Sequence, residues 1–241
     1  MKATFKVKVL APETPPVRRE TKLTIVLTDA TGLTWGFFGA TKAEGAALVT
    51  VNWGDGTSDA FDGDPVEPSH TYAAPGIYEV TIDDTIAQLQ PMDRSIERYV
   101  RHLNCVTGFA TNAANLTALA GRGFNEDTHL TSVDLRGSGI KTVGSYNFAG
   151  CTSLSNVSGF AEVEKLTAYS FMKATGLPDV VAFPSVSKVG SDTGTFTPFP
   201  SCSQIREIHF SEKHRASIEA CPCYQKDPTL GTKSAVCLFD L

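Results

Sequence analysis

The second half of the chain repeats one spacing of apolar positions. A Phe is followed six residues later by Leu or Ile four times: Phe124/Leu130, Phe148/Leu154, Phe171/Leu177 and Phe199/Ile205. Each Leu or Ile opens a short apolar run: Leu130, Val133, Leu135; Leu154, Val157, Phe160; Leu177, Val180, Phe183; and Ile205, Ile208, Phe210. A second apolar pair follows, as in Ile140/Val143, Val163/Leu166 and Val186/Val189, with Gly144, Gly150, Gly176 and Gly190 at turns. The Phe-to-Phe steps are 24, 23 and 28 residues, the last lengthened by an inserted loop from Ser191 to Pro198. A period in the low twenties predicts a solenoid of short strand-bearing coils. One coil cannot bury its own apolar face, so coils stack and share a core.

Strand periodicity then assigns faces. The leading residue of each run points inward, and the residues two and four after it point outward. Stacked coils align these outward positions in columns: Ser132, Asp134, Asn156, Ser158, Asp179, Val181, Glu207 and His209. They form the candidate ligand-binding face, small, polar and mildly acidic. Such a face suits broad contact with a protein or a glycan and offers no catalytic geometry.

The first ~90 residues alternate with period two, which predicts short strands. Lys22–Thr28, Leu33–Phe38, Ala47–Trp53 and Gly76–Ile82 are strand-like and bounded by turn residues such as Asp29–Gly32 and Gly54–Thr57. Leu33–Phe38 is the most apolar aromatic run. It reads as a buried strand, with an assembly interface as the alternative. Several short strands with Gly, Pro and Asp turns predict a small sandwich. The fold class is therefore mainly β: residues 1–90 a sandwich, 91–104 a connector, and 105–241 a solenoid. Within the connector, Asp93–Leu103 lacks β alternation and is either a short helix or irregular. At the C-terminus, Ile218–Ala220 suits a short helix and Ala235–Leu241 a final strand, together a cap over the last coil.

Two stretches carry family resemblances. Val51-Asn52-Trp53-Gly54-Asp55-Gly56-Thr57, followed by Pro68-Ser69-His70-Thr71-Tyr72 and Pro75-Gly76-Ile77-Tyr78-Glu79-Val80-Thr81-Ile82, resembles a PKD domain. That resemblance implies an immunoglobulin-like sandwich in which His70 is a core hydrogen-bonding residue. Val143-Gly144-Ser145-Tyr146-Asn147-Phe148-Ala149-Gly150-Cys151-Thr152-Ser153-Leu154-Ser155-Asn156-Val157 resembles the BspA-like leucine-rich repeats. The resemblance covers about 100 residues in four copies. Asn115-Leu116 is the place where a degenerate first copy would open, and Ala174 stands where Cys is common. Both families occur on bacterial surfaces and in secreted proteins, so the resemblance implies a noncatalytic recognition or adhesion protein. The alternative is a phage or prophage virion component: a tail-tip, receptor-binding or decoration protein.

Charge and chemistry narrow the reading. A net charge of −5 with no basic stripe argues against nucleic acid, since Arg18-Arg19 is short and followed by Glu20. No stretch reaches the ~20 apolar residues of a membrane helix. Met1–Leu10 alternates as a strand does and lacks the apolar core of a secretion signal. The expected location is extracellular, on a cell surface or in a virion, reached after signal removal or by lysis. No metal and no cofactor is expected. Asp59, Asp62 and Asp64 lack EF-hand spacing and read as a solvated loop. Cys221-Pro222-Cys223 with Cys202 and Cys237 could make a thiolate zinc site, but free buried thiols fit better, because the usual spacing is CxxC. Cys151 and Cys202 are repeat positions. The five His are scattered and no GxSxG, HExxH or P-loop occurs, so no catalytic residue is assigned.

Overall fold

The computed structural model describes residues 18–28, 33–37, 39–90 and 105–241. The strand expected over Met1–Leu10, the turn Asp29–Gly32 and the connector 91–104 lie outside the described residues. The N-terminal strands are β1 (Glu20–Leu27), β2 (Thr34–Gly36), β3 (Gly39–Lys42), β4 (Val49–Asn52), β5 (Ser58–Phe61), β6 (Ser69–Thr71), β7 (Gly76–Asp83) and β8 (Ile86–Gln90). Burial alternates strictly along β1, with Leu23, Ile25 and Leu27 inward and Lys22, Thr24 and Val26 outward. Trp35 and Phe37 are fully buried, which decides for the buried strand at 33–37.

The Trp53 turn is locked by its own side chains. Asp55 Oδ1 accepts from the Thr57 amide (3.0 Å) and hydroxyl (2.6 Å), as a turn aspartate should. His70 lies flat on Trp53, centroids 5.1 Å apart, and bonds Asp55 Oδ2 through Nε2 at 2.8 Å. The Thr57 hydroxyl, aided by His70, holds the Asp55 carboxyl down at about 2. Gly54 has φ 80°, and a Cβ there would come within 2.6 Å of the Glu79 carbonyl, so only Gly fits.

Beyond residue 105 the strands are β9 (Val106–Thr111), β10 (Ala118–Leu119), β11 (Ser132–Asp134), β12 (Thr142–Val143), β13 (Asn156–Ser158), β14 (Lys165–Leu166), β15 (Val180–Phe183), β16 (Lys188–Val189), β17 (Glu207–Phe210) and β18 (Val236–Phe239). Short helices α1 (Arg215–Glu219) and α2 (Pro222–Lys226) fall between the last two strands. Neither large sheet stops between residues 90 and 105. The seven-stranded sheet runs β13-β11-β9-β1-β7-β4-β5, and the six-stranded sheet runs β16-β14-β12-β10-β8-β3. β9 pairs antiparallel with β1 on one edge and parallel with β11 on the other. β8 does the same between β3 and β10. One contiguous apolar cluster includes Leu23, Trp35 and Trp53 as well as Phe124 and Phe210.

The repeat Phe residues form the spine. Phe109, Phe124, Phe148, Phe171 and Phe199 follow one another with centroids 5.1, 5.5, 5.3 and 5.4 Å apart. Phe109 therefore belongs to a first coil whose strand is β9. Leu116, weighed as a degenerate leader, instead packs in the core beside Leu119 of β10, in the place that Ile140 and Val143 take one coil later. Around Phe124, Phe148 and Phe171 the backbone is left-handed two residues before and after: Arg122 (φ 64°) and Glu126 (61°), Tyr146 (59°) and Gly150 (75°), Tyr169 (61°) and Lys173 (58°). A left-handed non-glycine residue costs roughly 1–2 kcal/mol. The return is visible in the hydrogen bonds. The reversals aim alternate amides along the stack, so Phe148 N donates to Ser170 O (2.8 Å) and Gly150 N to Met172 O (2.7 Å). At the far end Phe199 N donates to Leu230 O and Ser201 N to Gly231 O, so the tail supplies the acceptors another coil would give.

Three residues after Phe124, Phe148, Phe171 and Phe199 comes a buried column: Asp127, Cys151, Ala174 and Cys202. The Cys151 thiol donates to Phe124 O (3.0 Å) and that of Cys202 to Phe171 O (2.9 Å). None of the six cysteines is in a disulfide.

The strand ladder breaks once. Thr131 N reaches back to Thr107 O and Ser155 N to Thr131 O. The next residue in that series is Pro178, which has no N–H to give. β13 is consequently the end of the seven-stranded sheet, and β15, β17 and β18 form a separate parallel sheet in the order β15-β17-β18.

Candidate binding face

The eight residues expected to share one face divide into three groups. Ser132, Asp134, Asn156 and Ser158 come together on the outward face of the seven-stranded sheet, in register as Ser132↔Asn156 and Asp134↔Ser158. Glu207 and His209 lie on the separate sheet. Asp179 is exposed just before β15, its carbonyl accepting from the Arg206 and Glu207 amides.

Val181, expected outward from strand alternation, is instead buried at 5% exposure, while Val180 is 45% exposed. The leading Leu177 is followed by an extra residue relative to the Ile205 coil, so Val181 and Phe183 pair with the buried Ile208 and Phe210. A one-residue slip exchanges the faces of a strand. Val181→Asp is expected to cost about 3 kcal/mol or more through an unpaired buried charge, and Val180→Asp about 0.5 kcal/mol or less. Urea titration of both variants checks this; the reverse order would restore the original register.

The face of the seven-stranded sheet is wider than its solenoid part. Thr24, Gly108, Ser132 and Asn156 stand in one row across β1, β9, β11 and β13, and Lys22, Ala110, Asp134 and Ser158 in the next. Two adjoining depressions, 400 and 430 Å³, lie over these rows and share Lys22, Ala110, Asp134 and Arg136. Arg136 grips Asp134 with Nε (2.9 Å to Oδ1) and Nη2 (2.5 Å to Oδ2), and its own amide bonds the same carboxylate at 3.0 Å. Arg136 holds the Asp134 carboxyl down at about 2. Lys22 Nζ meets Glu79 at 2.9 Å and Glu20 at 3.2 Å, with Glu79 the main cause of its raised pKa. Arg18 pairs with Asp83 and Glu20. The only basic run weighed for nucleic acid thus has Arg18 and Lys22 engaged by carboxylates.

Lys22, Thr24, Glu79, Gly108 and Arg136 were not identified from sequence as site residues. Lys22 and Thr24 do occupy the outward positions of a strand. Nothing in one-dimensional spacing says that β1 lies beside β9.

The second cluster is closed on itself. His209 Nε2 bonds Glu207 Oε2 (2.9 Å) and Nδ1 bonds Asp240 Oδ1 (2.8 Å), and Asp240 then Glu207 raise its pKa. Both ring nitrogens are occupied by carboxylates, so neither is free to take a proton from a nucleophile. His70 is likewise committed to Asp55. Asp59 accepts from Trp53 Nε1 at 2.8 Å, and Asp64 from the Lys42 amide at 3.2 Å. No group of three or more His, Cys, Asp or Glu among the described residues could hold a metal ion. Nor is any helix among them long and apolar enough to cross a membrane.

The pattern of the BspA type leucine rich repeat region matches residues 117–223 in six copies. Residues 117–223 are a BspA-type leucine-rich-repeat region. Among solved structures, the pneumococcal vaccine antigen PcpA is 16% identical, over 43% of this chain and 24% of that one, with a TM-score of 0.37. The leucine rich repeat protein of T. pallidum is 15% identical, over 56% of this chain and 75% of that one, with a TM-score of 0.33. The chain thus spans about a quarter of the pneumococcal antigen's length. No curated protein matches. The leucine-rich-repeat region begins within the fold and contributes β11 and β13 to the candidate face, whereas β1, β7 and β9 precede it.

Proposed function

We propose that the chain is a noncatalytic recognition or adhesion protein that engages a protein or glycan through the outward face of the seven-stranded sheet. The observation that supports this most is the continuous polar face, which crosses from β1 to β13 and carries four of the eight residues expected there. The N-terminal strands serve as a PKD-like module, the immunoglobulin-like sandwich that the Trp53 turn resembles. They present the repeat region and complete its face. The segment after β17 serves as a terminal cap. Glu207, His209 and Asp179 form a secondary part of the surface. The protein acts outside the cell, on a cell surface, in secretions or on a virion.

Mass spectrometry of surface, secreted, particle and cytosolic fractions of the native producer tests this reading. Enrichment in the surface or secreted fraction is expected. Enrichment in particles would make it a virion component whose partner is a bacterial receptor or a neighbouring subunit. Retention in the cytosol overturns the proposal.

A further inference from the structure

The sheet face has a chemical selectivity of its own, set by how its charges are already used. Gly108 has no side chain and Ala110 a small one, so the floor between β1 and β11 is low. A Cβ on Gly108 would lie 3.2 Å from Ser132 Oγ and 3.3 Å from Thr24 Oγ1, which places both hydroxyls at the walls of the gap. Around them stand the carboxamide of Asn156 and the hydroxyl of Ser158. The rim carries charge, but each charge has an opposite partner: Lys22 with Glu79 and Glu20, Arg136 with Asp134.

We infer that this depression binds a neutral polyhydroxylated ligand, an uncharged glycan, and this rests on the recognition reading above. An anion at the remaining N–H groups of Arg136 would be repelled by the adjacent Asp134 carboxylate, and one at Lys22 would have to displace Glu79. A cation would have to displace Lys22 or Arg136. Neither exchange gains a charge pair, and each costs desolvation. A sugar hydroxyl needs no exchange. It donates to Glu79, whose Oε1 alone meets Lys22, and accepts from an unused guanidinium N–H of Arg136, which carries five donors. Vicinal hydroxyls match this alternation of donor and acceptor, and the Asn156 carboxamide offers both in one group. The ligand bridges β1 and β11, so neither the repeat region nor the N-terminal strands alone would hold it.

The test uses the full chain on an array of neutral and of uronate- or sulfate-bearing oligosaccharides, with binders measured by calorimetry. Neutral glycans are expected to bind, with affinity changing less than about twofold between low and high salt, because no counterions are released. Gly108→Val, which fills the floor, and Asn156→Ala should each weaken binding at least about tenfold, roughly the loss of one or two good hydrogen bonds. Lys188→Ala, on the six-stranded sheet, should leave it unchanged. Arg136→Ala, at a side chain 75% exposed, gives the same readout if Gly108→Val fails to fold. Absence of neutral-glycan binding, preference for anionic glycans, or insensitivity to these substitutions overturns the inference. If glycans fail but binding to a polypeptide on cell surfaces is lost in Asn156→Ala, the glycan assignment falls and the recognition reading stands. If no surface binding depends on Asn156 or Arg136, both fall.

Discussion

Phe148→Ala is expected to destabilise the protein by about 3–5 kcal/mol, and the tryptophans should report the loss although neither is near the substitution. Phe148 is fully buried, with rings 5.5 Å before it and 5.3 Å after it. Removing a buried ring loses its transfer free energy and leaves a cavity, which together cost about that amount. Collapse is resisted because Phe148 N and Gly150 N are tied forward to the next coil, while Phe124 N and Glu126 N are tied to this one. The chain has two Trp, Trp35 and Trp53, both in its first 90 residues. If the N-terminal strands formed an independent domain, their fluorescence would keep its own urea midpoint. Because β9 and β8 are hydrogen-bonded to both regions, one cooperative transition is expected, and fluorescence and far-UV circular dichroism should move together. A tryptophan midpoint unchanged by Phe148→Ala would show that the two regions unfold separately.

This coupling is the feature least legible in the sequence. The spacing of Phe124, Phe148, Phe171 and Phe199 prescribes a stacked spine because a ring every coil can be buried only against its neighbours. The polar positions after Leu130 and Leu154 lie on the outward face, where strand alternation puts them. The same rule failed at Val181, since a single extra residue after Leu177 changes which side faces water and alternation carries no memory across an insertion. Pro178 was visible in that insertion, and its missing N–H was a readable warning that the ladder would break there. The pairing of β9 with β1 could not be read, because residues about 90 positions apart meet there through backbone groups that every residue possesses. Half of the candidate face was hidden for that reason, including Lys22 and Thr24. Asp127 was hidden differently. It sits three residues after Phe124, where the repeat elsewhere places Cys151, Ala174 and Cys202, and that alignment alone predicts a buried carboxyl.

That buried carboxyl should make the protein less stable as pH rises from about 4 to about 8. Asp127 is fully buried; Oδ1 accepts from the amides of His129 (3.0 Å) and Leu130 (3.1 Å), while Oδ2 has no hydrogen-bond partner. Burial pushes the carboxyl up to about 8, and the two amides offset only part of that. Below about pH 4 the group is protonated in both states and the full stability is present. Above that pH the unfolded chain releases a proton that the folded chain retains, so stability falls, by about 1.4 kcal/mol per pH unit at the steepest. The fall ends near the folded value. His209 acts in the same direction but starts later: its pKa is raised above 6.5, so its contribution is present below that pH and is lost as pH rises through the folded value. Asp55 and Asp134, held at about 2, act oppositely and only below about pH 4. Glu212 and Asp192 are also lowered, by Arg215 and Lys188, but both pairs are exposed and weak, so the interval from pH 4.5 to 6 is dominated by Asp127. Asp127→Asn keeps an oxygen for the two amides and removes the titration, so urea midpoints should become nearly flat across that interval. Asp127→Ala also removes the titration but strands both amides, and it should cost about 1–3 kcal/mol at the acid end, where the native carboxyl is neutral. A wild-type stability that rises between pH 4.5 and 6, or an Asp127→Asn variant with the same slope as the wild type, would place the ionised carboxylate in the folded core.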